Sequence, residues 1–129
     1  MLTKWREGNR ARWVGIRPGH GGAQIAKYGQ AHNEIILIHT VAAGKVFYLT
    51  HWTHWIYENL AGQNGLLYVQ NAADVLVYVI SDLSMGTLGG LTNSGSLFYP
   101  LEIPEGYDVC VRSMSDTVVT EAFIHGWEE

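Results

Sequence analysis

The run His51-Trp52-Thr53-His54-Trp55 contains the residues best suited to chemistry in this chain. Two imidazoles three positions apart can ligate zinc together when they share one face of a helix. The run, however, follows the β-type segment Val46-Phe47-Tyr48-Leu49-Thr50, and positions i and i+3 of a strand point to opposite faces. His51 and His54 are therefore predicted not to bind a metal jointly.

His39, His51 and His125 belong to separate predicted strands, and neighbouring strands can gather such residues around a metal, as cupin barrels do. The cupin pattern of clustered His-x-His with a following Glu and a later His is absent. We interpret these imidazoles as half-buried strand residues that backbone groups or water satisfy. No metal or other cofactor is expected.

No nucleophilic site stands out either. Cys110 lies in a predicted strand between Asp108 and Arg112 in the alternation, without the glycine elbow or helix N-terminus that activates a thiol. Gly-x-Ser-x-Gly is absent, and the glycines of Pro18-Gly19-His20-Gly21-Gly22 do not match a phosphate-binding pattern. The chain is therefore predicted not to be an enzyme.

Aromatic residues suggest binding instead of catalysis. Five Trp and seven Tyr are more aromatic surface than the core of a 129-residue protein usually needs, and aromatic side chains are enriched at interfaces. They either fill the core or form a platform on which pyranose rings stack. The candidate ligand-binding or adhesion residues are Trp52, Trp55, Tyr57 and Trp127.

These residues must be positioned by strands, because a β-type run, a glycine turn and a second β-type run occur together twice. The turns are Ala42-Ala43-Gly44 and Pro104-Glu105-Gly106, and both glycines are predicted to have positive φ. Val, Ile, Tyr and Phe-rich runs bounded by Gly and Pro predict an all-β protein, an antiparallel β-sandwich of jelly-roll type. The predicted strands are 34–41, 45–57, 65–71, 74–81, 96–103, 107–114 and 117–126, with the longest loop at 82–95.

Length and composition agree with one globular domain, since 47% of the 129 residues are hydrophobic. The N-terminus lacks the apolar run of a secretory signal, and the longest apolar run, 75–80, is too short to cross a membrane. Cys110 is the single cysteine, which fits synthesis in a reducing cytoplasm. No membrane partner is expected.

Two predicted strands are apolar at every position, at 35–38 and at 75–80. A strand with one face in water should alternate apolar and polar residues. Something is therefore expected to cover the outer face of these strands. We favour a neighbouring copy in a homo-oligomer, with the chain's own N-terminal arm as the alternative.

Charge divides the chain into a basic arm and an acidic body. Residues 1–17 hold five basic residues against Glu7, a local charge of +4, and the remaining three basic and eleven acidic residues give −8. We assign 1–30 to a glycine-rich arm with short strands and 31–129 to the sandwich. The arm either docks on an acidic partner or is a solvated tail, and the acidic body disfavours nucleic acid. Its predicted partner-binding residues are Trp5, Arg6, Arg10, Arg12, Trp13, Ile16 and Arg17.

The turn segments 40–50 and 100–109, with the ending Ala122-Phe123-Ile124-His125-Gly126-Trp127, resemble small β-sandwich structural proteins of tailed phages and prophages. That group includes capsid decoration, head-fibre and tail-associated jelly rolls. The resemblance implies a virion structural protein, made in the host cytoplasm, that self-assembles, with a trimer favoured, and attaches to capsid or tail proteins. The alternative function is that of a carbohydrate-binding β-sandwich module, and a glycan is therefore a further candidate partner.

Overall fold

Eight antiparallel strands account for most of residues 22–57, 64–84 and 90–129, the parts of the chain that this computed structural model describes. These residues contain no helix, and so none long and apolar enough to cross a membrane. The strands are β1 (Ala23–His32), β2 (Glu34–Thr40), β3 (Phe47–Tyr57), β4 (Asn64–Gln70), β5 (Leu76–Ser84), β6 (Gly90–Ile103), β7 (Asp108–Ser113) and β8 (Val119–Glu128).

The strands form two four-stranded sheets, ordered β1-β8-β3-β6 and β2-β7-β4-β5. The first described strand pairs with the last, the second with the seventh, the third with the sixth and the fourth with the fifth. This order is that of a long antiparallel ribbon rolled into two sheets, which is the jelly roll. The predicted all-β antiparallel sandwich is confirmed.

The core lies between the sheets, where alternate residues of each strand meet. Its fully buried members come from both sheets, with Phe47, Leu49 and Ile124 on one side and Leu67 and Val109 on the other. Alternation puts Ile36 and Ile38 of β2 against this core and turns Ile35 and Leu37 outward. The apolar run 35–38 of this strand thus supplies both a core face and an apolar outer face.

Both predicted turn glycines have positive φ, 75° at Gly44 and 76° at Gly106, which confirms the prediction. The two turns also touch each other. The backbone N–H of Gly106 donates to the carbonyl of Val41 at 2.9 Å, and Gly44 N–H donates to Glu105 Oε1 at 2.6 Å. The two strand-turn-strand segments therefore meet at one end of the sandwich, where the Glu105 carboxylate joins the two turns.

The predicted loop at 82–95 is mostly strand. β5 continues to Ser84 and β6 begins at Gly90, so the prediction was wrong at both ends of the loop. Residues 90–96 pair with β3 along their length, and this pairing overrides the low strand propensity of their small and polar side chains. At the other end of the chain, β1 spans the boundary at residue 30 that separates the assigned arm from the assigned body.

Candidate functional site

The outer face of the β1-β8-β3-β6 sheet carries a set of aromatic and polar side chains that the register aligns in rows. Gln30, Glu121 and Trp55, for example, lie side by side on β1, β8 and β3. Their sequence neighbours point inward to the core. We call this surface the aromatic face. It comprises Tyr28, Gln30, Tyr48, His51, Thr53, Trp55, Tyr57, Glu121, Phe123, His125 and Trp127.

At one end of the aromatic face, three hydrogen bonds hold the carboxylate of Glu121. Tyr28 Oη donates to Oε1 at 2.6 Å, Gln30 Nε2 donates to Oε2 at 3.0 Å, and the Tyr57 hydroxyl also donates to Oε2. The donors lie on the strands that flank β8, so one carboxylate links three strands. We call these four residues, together with Trp55, the Glu121 corner.

The electrostatics of this corner favour an ionised carboxylate. Burial raises the pKa of Glu121, but the hydrogen bonds from Tyr28, Tyr57 and Gln30 outweigh burial, and the net direction is downward. The same hydrogen bond, with burial adding to it, raises the pKa of Tyr28 to about 12. At neutral pH, Glu121 is therefore ionised and accepts the hydrogen bond, and Tyr28 is protonated and donates it.

Two aromatic rings flank the carboxylate. The ring centroids of Tyr28 and Trp55 are 6.5 Å apart, and the planes are tilted by 40°. Tyr28 is 54% exposed and Trp55 is partly exposed. The two rings are therefore not stacked on each other, and they lie beside the carboxylate to which Tyr28 donates.

The opposite end of the aromatic face holds a second aromatic pair, Tyr48 and Trp127, with centroids 6.5 Å apart and planes tilted by 31°. Between the two ends, His51 pairs with His125 across β3 and β8 and hydrogen-bonds Ser96 Oγ at 2.8 Å. Trp127 is 7% exposed, much less than Tyr28. The more accessible aromatic surface is consequently at the Glu121 corner.

Of the four aromatic residues singled out in the sequence, the structure brings Trp55, Tyr57 and Trp127 together on the aromatic face. Trp52 is placed differently, because its side chain lies on the inner side of β3 and packs against the core. The ring lies over Gly95 on β6, where a Cβ atom would overlap it. Trp52 therefore belongs to the sandwich interior and not to a platform, a correction to the sequence-based grouping.

His51 and His54 lie on opposite faces of β3, as strand alternation predicts. His54 is completely buried between the sheets, where Nδ1 and Nε2 make hydrogen bonds with Ser81 Oγ at 2.7 Å and Thr120 Oγ1 at 2.8 Å. His39 is also buried, and its Nε2 atom lies 2.5 Å from Glu128 Oε1. In the described ranges, no group of three or more His, Cys, Asp or Glu residues is arranged to hold a metal ion.

Burial lowers the pKa of His54 from 6.5 to about 4, and the nearby Asp82 carboxylate opposes this shift only in part. The imidazole is therefore neutral at neutral pH. One ring nitrogen donates to a hydroxyl and the other accepts from a hydroxyl, which satisfies both. His54 is thus a buried structural residue whose charged form the fold disfavours.

The outer face of the second sheet, β2-β7-β4-β5, is mostly apolar. Register places Leu37, Cys110, Tyr68 and Val79 in one row across β2, β7, β4 and β5. The centre of this surface is buried, and its two edge strands are half-exposed, at 50% for Ile35, 51% for Leu37 and 45% for Val79. We call it the apolar face. It comprises Ile35, Leu37, Leu66, Tyr68, Leu76, Val79 and Cys110, with Arg112 and Asp82 among them.

The thiol of Cys110 lies in the buried centre of the apolar face. Burial, with a contribution from the Asp108 carboxylate, raises its pKa to about 11. A thiol with a raised pKa is a poor nucleophile at neutral pH. The arm residues predicted to bind a partner, Trp5, Arg6, Arg10, Arg12, Trp13, Ile16 and Arg17, lie outside the described residues.

No known family model matches this sequence, and comparison with curated proteins finds no match. Function must therefore be inferred from the fold and from the two sheet faces. The resemblance to phage structural proteins stays a prediction.

Proposed function

We propose that this chain is a non-enzymatic structural protein of a virion, made in the host cytoplasm, that assembles with itself and attaches to capsid or tail proteins. The observation that carries the proposal is the half-exposed apolar face on the second sheet. The jelly roll, a fold common among viral capsid proteins, is compatible with it. Fold alone does not specify function, so the proposal depends on the exposed apolar side chains of this face.

The occupant proposed for the apolar face is another copy of the same chain. Large apolar side chains, such as Leu37 and Val79, are exposed along both edge strands of this face, and exposed apolar patches mark interfaces. Arg112 and Asp82 share one row of this face with Leu66 between them. A surface that holds both charge signs suits a rotated copy of itself better than a uniformly charged partner.

Attachment to the particle is assigned to residues 1–17. Their local charge of +4, against −8 for the remainder, supplies electrostatic attraction to an acidic surface. The arm pays conformational entropy on docking, roughly 1–2 kcal/mol for each residue fixed. Trp5, Trp13 and Ile16 are proposed to recover this cost through buried contacts, with the arginines setting the register.

Light scattering coupled to gel filtration tests the oligomer. The wild-type chain is expected at the mass of a small oligomer, with three copies favoured, and Val79→Asp on the apolar face is expected to be a folded monomer. The control is Tyr99→Asp on β6, where the wild-type side chain is 81% exposed; it should keep the oligomer. A monomeric wild type, or a Val79→Asp variant that stays oligomeric, contradicts the proposal.

Deletion of residues 1–17 separates assembly from attachment. The shortened chain is expected to remain a folded oligomer that no longer co-sediments with its particle, and added salt should weaken binding of the full chain. A shortened chain that becomes monomeric would assign the arm to the oligomer instead. One that still binds its particle normally would remove the arm from attachment.

Carbohydrate binding is a second candidate function, and the aromatic face is the observation that favours it. Trp55, Tyr57 and Trp127 share this face with hydrogen-bonding residues. The aromatic face and the apolar face are on opposite sides of the sandwich. A virion protein could therefore assemble through one and adhere to a glycan through the other.

A further inference from the structure

We propose that the Glu121 corner is a binding site for one pyranose ring of a neutral saccharide. This inference rests on the carbohydrate-binding candidate and adds to it a location and a ligand class. Three properties of the corner lead to it: an exposed and a partly exposed ring at an angle, an ionised acceptor beside them, and the charge of the surrounding face.

The rings of Tyr28 and Trp55 supply the apolar contact. Their 6.5 Å separation and 40° tilt leave them unstacked on each other, and Tyr28 is 54% exposed. Aromatic π faces carry negative charge density, and the C–H bonds on one side of a pyranose ring present the complementary positive edge. A ring of that size can lie against one aromatic face while its rim contacts the other.

The hydrogen-bonding groups of the corner complement sugar hydroxyls. An ionised carboxylate has about four lone-pair sites, and Tyr28, Gln30 and Tyr57 use three of those on Glu121. Glu121 is 9% exposed, and the remaining site, on Oε1, is the one proposed to accept a hydroxyl proton from a ligand. The three donors already hold the carboxylate in place, so little conformational entropy is lost on binding.

Charge selects the class of saccharide. The described cationic side chains, Lys27, Lys45 and Arg112, lie elsewhere: Lys27 contacts the buried His39, Lys45 is in a turn, and Arg112 is on the apolar face. A sialylated, uronic or sulfated glycan would thus bring a second negative charge beside Glu121 without a described cation to balance it. Neutral saccharides avoid this repulsion.

The same hydrogen bonds hold edge strand β1 to the sheet, so binding must be measured apart from stability. Tyr28→Phe keeps the ring and removes the donor to Glu121. Trp55→Ala removes one ring and leaves the three hydrogen bonds in place. Tyr48→Ala, at the opposite end of the aromatic face, is the matched control. The melting temperature of each variant shows whether it is folded.

The full chain is applied to an array of neutral, sialylated and sulfated oligosaccharides, and the strongest neutral oligosaccharide is then titrated by calorimetry. Wild type is expected to prefer neutral glycans. Trp55→Ala is expected to bind about tenfold more weakly, the range of one aromatic contact. Tyr28→Phe should also weaken binding, and Tyr48→Ala should leave it unchanged.

The outcomes separate this inference from the candidate function. If neutral glycans bind but Tyr48→Ala abolishes binding and Trp55→Ala does not, the chain binds carbohydrate at another place and the Glu121 corner is the wrong site. Preference for sialylated or sulfated glycans overturns the ligand class alone. If wild type binds no oligosaccharide on the array, the candidate function and this inference both fail.

Discussion

Acid should destabilise this protein through the buried imidazole of His54. The pKa of His54 is lowered from 6.5 to about 4, and its value in the unfolded chain is the ordinary one. Between these values the unfolded state binds a proton that the folded state does not. The stability associated with a neutral His54 is therefore complete above pH 6.5 and is lost as the pH falls toward 4.

The size of the effect follows from the displacement of the pKa. At 1.36 kcal/mol for each unit, a fall from 6.5 to about 4 corresponds to about 3 kcal/mol, an order-of-magnitude figure. This is a large part of the 5–15 kcal/mol that is typical of a whole domain. Complete burial of the side chain, with hydroxyl partners on β5 and β8, is the physical reason.

Urea unfolding at pH values from 4 to 7.5 measures this dependence. His54→Gln retains a donor and an acceptor. In this variant the free energy of unfolding should depend less steeply on pH between pH 4 and 6.5, by the equivalent of roughly one proton. His32→Gln, which makes the same substitution at an exposed histidine, is the matched control. NMR titration of the wild-type His54 ring gives an independent reading, with no protonation expected above pH 5. A His54→Gln slope equal to that of wild type, or a ring that titrates near pH 6.5, would refute the reasoning.

Three glycine positions yield further predictions. Gly44→Val and Gly106→Val should each lower the free energy of unfolding by about 1 kcal/mol or more, because φ is +75° and +76° at these positions. The corresponding Asn variants should lose less stability. Urea unfolding curves that show parental stability in both Val variants would contradict this prediction. Gly95→Ala should cost about 1–3 kcal/mol, because its Cβ would overlap the Trp52 ring. Tryptophan fluorescence should report the displaced ring, with Ser94→Ala as the control, and an unchanged emission spectrum would argue against the overlap.

Local patterns were sufficient to predict most strands and both turns. The predicted strand at 34–41 corresponds to Glu34–Thr40, and the one at 45–57 to Phe47–Tyr57. Such segments combine β-branched and aromatic residues with a glycine boundary, so each carries its own signal. Gly90 and Gly95 carry the opposite signal, and their strand exists because β3 pairs with it.

The Glu121 corner could not be predicted in the same way. Gln30 is 91 positions from Glu121 in the sequence, and Tyr57 is 64 positions away. Only the β1-β8-β3 order brings them together, and strand order is not readable from periodicity. Trp52 shows the related difficulty: an aromatic side chain can face either side of a strand, and the bulge near Leu49 and His51 shifts the register that decides which.

The pairing of β1 with β8 has a consequence for how the chain acquires its structure during synthesis. In the described sheet order, β8 lies between β1 and β3, so β1 has no hydrogen-bonded strand neighbour until β8 is available. The ribosome releases β1 about a hundred residues before β8, at roughly 5–20 residues per second. For several seconds β1, together with the half-formed sheet, exposes unpaired strand edges. Slow folding and dependence on chaperones during that interval are the expected result, because non-local pairing must wait for the end of the chain.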